Sequence, residues 1–265
     1  MTTLTANRRI TPAGNTDTDY LKLVALVFMM IDHIGVALLG NLTEMRILGR
    51  IAMPIYAWCL VVGCEYTRNI GRYSLRLLLM AVLSQPFNMV ALHNPWSKLN
   101  ILFQLAMGVA CIGAIREKRY FSQYWLPALC FVLHGFLKID YGWKGLAFIL
   151  LLYAARKTRG GLAVAFLAFA AFWGSTASQI NSFAGVPFDF LNWPGLGPVL
   201  QPLFRMQAMM WLALPFILIG THTGFKMPKW LGYGFYPLHL LVIIAIRLLL
   251  GEAPAMLFAP LWTWQ

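Results

Sequence analysis

An acid and a base side by side, Asp32–His33, interrupt an otherwise apolar run from Leu21 to Leu39, and after Lys22 they are its only ionisable residues. At about 1.5 Å per helical residue the pair lies roughly 15 Å beyond Lys22, near the middle of a hydrocarbon core about 30 Å thick. An ionisable group at that depth costs on the order of 3 kcal/mol or more unless it faces a partner or a wet cavity. The run therefore predicts a membrane-spanning helix that turns its polar pair into the interior of a bundle. It marks that interior as a functional site in preference to a structural helix–helix clamp.

The rest of the chain agrees with a membrane setting. Of its 265 residues 60% are hydrophobic and 11% charged, and the mean hydropathy is +0.67. That is an all-α polytopic membrane protein, not a soluble domain. The first apolar run is too long for a signal-peptide core, carries Asp32 and His33, and lacks a small-x-small cleavage pattern. Cys59, Cys64, Cys111 and Cys130 lie in or beside apolar runs without metal-ligand spacing, so they read as reduced packing residues.

About nine transmembrane helices, within a range of eight to ten, are expected: 21–40, 46–64, 74–91, 99–115, 121–138, 141–155, 161–174, 206–220 and 232–250. The seventh is the shortest, and if it were re-entrant everything after it would flip. Residues 1–20 read as a polar cytoplasmic tail, 21–250 as a single transmembrane domain, and 251–265 as a short C-terminal tail. Fourteen of the 21 Lys and Arg residues fall in alternate connections: Arg8, Arg9, Lys22, Arg68, Arg72, Arg76, Arg116, Lys118, Arg119, Arg156, Lys157, Arg159, Lys226 and Lys229. Six occupy the others, and Arg247 lies within the last span. This bias puts the N-terminus in the cytoplasm of a bacterial inner-membrane protein. The net charge of +12 then serves topology and gives no reason to invoke nucleic acid. The long 174–205 connection, with Phe183, Phe188, Phe190 and Trp193, is expected on the outer side at the membrane interface.

Polar residues on other spans are candidate partners for the pair. Neighbours on a helix point about 100° apart, so Asp32 cannot brace the ring of His33 and each must look elsewhere. Gly35, on the Asp32 face, would let another helix approach. Arg46, Arg50 and Pro54 share a face of the second span. Arg46 reads as an interfacial charge, and Arg50 either snorkels or pairs with Asp32. Pro54 should free the Arg50 carbonyl and kink the helix. Tyr236 and His239 share a face beside Pro237. Gln85 with Asn88, and Asn100 with Gln104, read as interhelical hydrogen-bonding groups. The available chemistry is acid–base or nucleophilic. Nucleotide-coupling motifs and zinc-hydrolase signatures are absent from the sequence, so no metal is expected.

LKLVALVFMMIDHIG, LGRIAMPIYAWCLVVGCEYTRN, NILFQLAMG, DYGWKGLAFILLLY and YGFYPLHLLVI, taken in order, resemble blocks of the TraX family, over roughly residues 20–250. The founding activity of that family is N-terminal acetylation of conjugative pilin. The resemblance implies an acyltransferase, an N-acetyltransferase using acetyl-CoA as donor and a pilin subunit as acceptor. Its layout is also similar to that of the broader integral-membrane acyltransferases, with a key His in the first span. On this reading His33 is general base or transient acetyl carrier, Asp32 orients or balances it with Arg50 as partner, and His239 and Tyr236 complete the catalytic set. Arg68, Arg72, Arg116 and Lys118 are offered to the phosphates of coenzyme A. Two other functions stay open: acetylation of an envelope glycan or membrane lipid, and proton-coupled transport through Asp32 and His33. The absence of inverted repeats weighs against transport.

Overall fold

Several of the long apolar runs fold into helices announced by a capping side chain. The computed structural model describes residues 11–261. Asp17 caps α1 (Thr18–Ala37), Asn69 caps α4 (Ile70–Leu92), Asn100 caps α5 (Ile101–Glu117) and Thr158 caps α8 (Arg159–Gly174). Each oxygen satisfies an amide that a helix start leaves orphaned. Between these lie α2 (Thr43–Gly49) and α3 (Ala52–Tyr66), one run broken at Arg50–Ile51. Pro54 accounts for the break, because it brings no N–H to the Arg50 carbonyl and its ring crowds that oxygen. The chain continues through α6 (Ser122–Phe136) and α7 (Gly142–Ala155), and ends with α11 (Lys229–Leu249).

Among the described residues, four stretches are long and apolar enough to cross a membrane: Thr18–Ala37, Thr43–Tyr66, Ile70–Leu92 and Trp230–Leu249. The chain is a helical membrane protein with these four long stretches and several shorter apolar helices in place of the remaining expected spans. Gly142–Ala155, Arg159–Gly174 and Ala208–Leu218 are apolar and shorter. The stretch expected over 206–220 is the most irregular. It is a 3₁₀ turn, Ala208–Ala213, followed by the five-residue α10 (Leu214–Leu218). At about 2.0 and 1.5 Å of rise per residue it spans roughly 20 Å, short of a 30 Å core. Ala208, Met210, Ala213 and Ile217 are fully buried, so protein and not lipid surrounds this backbone, the setting in which irregular structure is tolerated at membrane depth.

Bonds between connections show which helix ends lie together. Arg116 donates to the carbonyls of Cys64 and Thr67, Arg156 pairs with Glu65 at 2.6 Å, and Arg159 donates to the Ala13 carbonyl. Asn15 and Asp17 bind Thr221 and Thr223. The connections rich in Lys and Arg therefore share one end of the bundle, the basic end; Arg8 and Arg9 lie outside the described residues. At the opposite end, β1 (Lys98–Leu99) pairs in parallel with β2 (Lys138–Ile139), and Arg247 and His93 meet at Glu252. Trp173, at the end of α8, packs on Tyr141 at the start of α7, so α8 runs back to this opposite end.

Both expected tails are more structured than free tails over their described parts. Asn15 is fully buried, and its backbone carbonyl accepts from the Trp58 indole at 2.7 Å. Near the C-terminus, Leu257 is buried and packs with Phe258 and Leu261 against Val90 and Ala91 of α4. The 174–205 connection folds on itself through a hairpin, β3 (Ser182–Phe183) with β4 (Val186–Pro187), and a short α9 (Leu196–Leu200). Phe183, Phe188 and Phe204 rest with Ile180 and Met209 on Ile47 of α2.

Thr43–Tyr66 is the hub: 83% of its apolar window is buried, against 33, 39 and 28% for the other three long stretches. Outward faces such as Leu75, Leu79, Val82 and Leu83 on α4 are exposed and apolar, as a lipid-facing surface requires. Apolar burial drives helix association weakly in lipid, so close contact between small residues carries weight. A Cβ at Gly35 of α1 would lie 2.7 Å from that of Met45, and one at Gly49 would overlap the Asp32 side chain. These two glycines let α2 lie directly on the polar face of α1.

Candidate active site

A cavity of about 660 Å³ runs through the bundle between α1, α3, α4 and α11. At the basic end it is lined by Thr18, Lys22, Thr67 and Arg76, and at the opposite end by Asn94, Lys98 and Asp140. Asp32, His33, Arg46, Arg50 and Tyr236 line it between these mouths. The polar residues deep in the apolar runs thus face one internal space.

Asp32 is held by two arginines. Arg46 Nη1 donates to both carboxylate oxygens, at 3.0 and 2.9 Å, and Arg50 Nη2 donates to Oδ1 at 3.2 Å. Arg50 also donates through Nε to the Arg46 carbonyl and through Nη1 to Gln207 Oε1, at 3.2 and 3.0 Å. Asp32 and Arg50 are 9 and 8% exposed. Two cations on one carboxylate leave the cluster one charge positive, a disposition suited to an anion or a developing oxyanion nearby. Arg46 is therefore no free interfacial charge; one helical turn before Arg50 and on the same face, it brings a second guanidinium group onto one side chain.

His33 turns to α11. Its Nδ1 lies 2.7 Å from Nε2 of His239, with the rings nearly parallel at 12°. His239 Nδ1 lies 2.9 Å from the Phe235 carbonyl, which can only accept, so that nitrogen carries a hydrogen. In the neutral pair, His239 Nε2 must then accept and His33 Nδ1 must donate. The remaining nitrogen, His33 Nε2, is left with a lone pair. This assignment follows from the hydrogen-bond pattern. His33 can thus accept a proton at Nε2, and the resulting charge can be shared with His239 through the 2.7 Å contact.

Tyr236 stands over both rings, with centroids 6.4 Å from His33 and 5.4 Å from His239. Its hydroxyl accepts from Asn88 at 3.3 Å, and Asn88, Asn94 and Lys98 continue the chain of hydrogen bonds to the opposite mouth. Gln85 and Asn100 bind each other, while Gln104 meets His134 at 2.8 Å. These last four tie helices together outside the centre.

Of the residues singled out from sequence, Asp32, His33, Arg50 and Tyr236 line one cavity, and His239 meets it through His33. The structure does not bring Arg68, Arg72, Arg116 or Lys118 to the cavity. Arg68, Arg72 and Lys118 are exposed beside it, and Arg116 is spent on the carbonyls at the end of α3. Lys22 and Arg76 line the basic mouth instead. Arg46, Gly49, Asp140 and Gln207 are additions. Arg46 could be found from its four-residue spacing to Arg50. Asp140 and Gln207 sit in irregular segments where no periodicity points to them.

A family model described as TraX protein matches residues 17–247. The chain is 26% identical over 248 residues to a protein named probable fimbrial assembly protein FimC, serogroup H1, from Dichelobacter nodosus, covering 87% of this chain and 95% of that one. It is 30% identical over 149 residues to an uncharacterized protein of Rickettsia prowazekii (strain Madrid E), covering 54% of this chain and 58% of the relative. No solved structure matches. Because the family match takes in both the Asp32–His33 helix and the His239 helix, and nearly all that lies between, the chain belongs to the TraX family.

Proposed function

We propose that this protein is a membrane-embedded acetyltransferase that moves acetyl from acetyl-CoA to the N-terminal amine of a pilin-like subunit. The observation that carries the reading is the basic Nε2 of His33, backed by His239, inside a cavity that reaches both ends of the bundle. With the basic end in the cytoplasm, the donor enters past Lys22 and Arg76, and the acceptor enters from the mouth at Asn94, Lys98 and Asp140. The similarity to a protein named for fimbrial assembly favours a pilus subunit as acceptor.

The chemistry is an acyl transfer from sulfur to nitrogen. The acceptor amine attacks the thioester carbonyl, and His33 Nε2 takes the amine proton as the C–N bond forms. The carbonyl oxygen gains negative charge, which the net-positive Asp32–Arg46–Arg50 cluster offsets. The C–S bond then breaks, and the departing thiolate receives the proton from His33. Asp32 acts on this centre through its arginines and does not touch the imidazole pair.

His33→Gln tests the assignment. Acetyl transfer by the purified protein in lipid nanodiscs should fall by about 10²–10⁴-fold, the usual worth of a positioned general base, while thermal unfolding stays close to wild type. Near-normal turnover in a well-folded variant would remove the base from His33.

A further inference from the structure

Asp140 is a carboxylate in the cavity wall that makes no ion pair among the described residues. It follows β2 directly, its amide donating to the Leu99 carbonyl at 2.9 Å, and its side chain lines the mouth at the opposite end. Among the described residues no Lys, Arg or His nitrogen pairs with it. Lys98 stands on the neighbouring strand, yet its ammonium is held by Asn94 Oδ1 at 3.1 Å. Arg46 and Arg50 are committed to Asp32. Burial pushes the Asp140 carboxyl up, against the pull of Lys98 and Arg50. The carboxylate accepts a hydrogen bond from the Tyr141 amide, but among the described residues no cation is in ion-pair contact with it, and that place is open to the cation of a ligand.

The backbone beside it is also held in an unusual shape. Tyr141 adopts φ 66° and Gly142 φ 56°. A left-handed conformation is uncommon for an aromatic residue and is kept only where the surroundings demand it. Here the Tyr141 ring packs edge-on against Trp173 at 5.9 Å, and the chain turns at once into α7, leaving Asp140 at the cavity wall. Tyr120 and Phe121, in the exposed connection before α6, have the same backbone shape, so at Tyr141 it fixes where Asp140 sits and is not itself a mark of a ligand.

We propose that Asp140 is the binding carboxylate for the acceptor's ammonium group, which makes the acceptor of this enzyme a primary amine and not a glycan or lipid hydroxyl. The assignment rests on the acetyltransferase reading for its chemistry, but it concerns binding. The acceptor arrives as an ammonium ion and hydrogen-bonds to Asp140. Acetylation of an ammonium releases two protons from nitrogen. The first leaves through Asp140 to water at the same mouth, freeing the amine lone pair. The second passes to His33 Nε2 as the C–N bond forms, and from there to the departing thiolate. One proton is released to solvent overall.

The test uses the full chain in nanodiscs and two probes: a short apolar peptide amide with a free N-terminus, and the same peptide N-formylated. Binding is read by calorimetry without any acetyl donor. The wild-type protein should prefer the free amine by roughly 10–100-fold, the worth of one charge-assisted hydrogen bond. Asp140→Asn, which keeps size and shape, should abolish that preference, and Asp140→Glu should retain part of it. Lys98→Met, which removes the nearest competing cation, should enlarge it, and this keeps the idea testable if Asp140→Asn folds poorly. An unchanged preference in Asp140→Asn, or no preference in the wild type, overturns the assignment. Turnover separates the two readings. Amine-selective binding that depends on Asp140, with no acetyl transfer, would sink the reaction and leave the site. Transfer with the same acceptor KM in wild type and Asp140→Asn would sink the site and leave the reaction.

Discussion

Gly49 packs so closely on Asp32 that a methyl group on its α-carbon would overlap the carboxylate. The absent side chain is what allows the α2 backbone to reach α1 and bring Arg46 and Arg50 onto one acid. Gly49→Ala should therefore push the helices apart. An overpacked contact of this kind costs about 1–3 kcal/mol, and the lost geometry should cut acetyl transfer by more than tenfold, since small misplacements near a reacting centre are expensive. Thermal unfolding and turnover measured on one preparation check both halves. A Gly49→Ala protein with wild-type melting and rate would mean that α2 can retreat without consequence.

The His33–His239 contact leads to an ordering of variants. Gln at 239 can still offer an oxygen to the His33 Nδ1–H, whereas Leu cannot. His239→Gln should thus lose less activity than His239→Leu, and both should lose less than His33→Gln, which removes the base itself. The comparison is made on kcat/KM for all three. Equal losses at the two His239 variants would mean that the second ring matters for packing and not for orienting the first.

The two arginines on Asp32 are separable in a double-mutant cycle. Removing one partner of a buried ion pair costs about 3–5 kcal/mol, but Asp32 here keeps a second cation. Arg50→Gln and Arg46→Gln should each cost less than Asp32→Asn, which strands both guanidinium groups. Arg50, at 8% exposure against 26% for Arg46, should be the costlier of the two. Denaturation in detergent gives the values. An Asp32→Asn protein more stable than either arginine variant would contradict the shared-carboxylate arrangement.

How much of this was legible from sequence depends on whether a feature repeats along one helix. The depth of Asp32 and His33, the common face of Tyr236 and His239, and the break near Pro54 all follow from helical spacing or proline chemistry, and all can be read from one strand of text. The partner of His33 could not be, because two hundred residues separate the rings and nothing local couples them. Arg46 illustrates the limit well: its spacing to Arg50 was visible, but only the close seat of α2 on α1 at Gly35 and Gly49 decides whether it meets lipid headgroups or Asp32. The basic connections misled for a related reason. Charges such as Arg68 and Lys118 obey the topology rule, which says where a loop lies and nothing about which side chain faces a cavity. Irregular segments were opaque throughout, which is why Asp140 and Gln207 emerged only from three dimensions.

Asp17 gives a pH-dependent prediction. Burial works to raise its carboxyl, but hydrogen bonds from the Thr223 amide and hydroxyl, the Tyr20 amide and the Thr221 hydroxyl outweigh it, leaving it below the ordinary 3.8. The unfolded chain then binds this proton more readily than the folded one. The stabilisation is fully present above about pH 4 and is lost as pH falls through the lowered value. Asp17→Asn should melt earlier than wild type at about pH 7, and the gap should narrow as the pH falls below the ordinary carboxylate value of 3.8. A gap that does not change with pH would assign the effect to shape and not to charge.

Topology decides whether donor and acceptor can enter from opposite sides, and cysteine labelling on intact cells can read it. Arg116, Arg156 and Arg159 lie at one end of the bundle with the start of α1, while the 174–205 connection lies at the other. All four native cysteines are buried and unpaired, so a background without them is a natural starting point. Ser182 and Lys157 are both exposed, and neither caps a helix, unlike Thr158, whose hydroxyl accepts from the Gly161 amide. An impermeant thiol reagent should label Ser182→Cys and spare Lys157→Cys until the cells are opened. Labelling of Lys157→Cys alone would invert the protein and put the Asp140 mouth in the cytoplasm. A periplasmic amine could then no longer reach the carboxylate assigned to hold it, and the acceptor would have to be sought among cytoplasmic peptides.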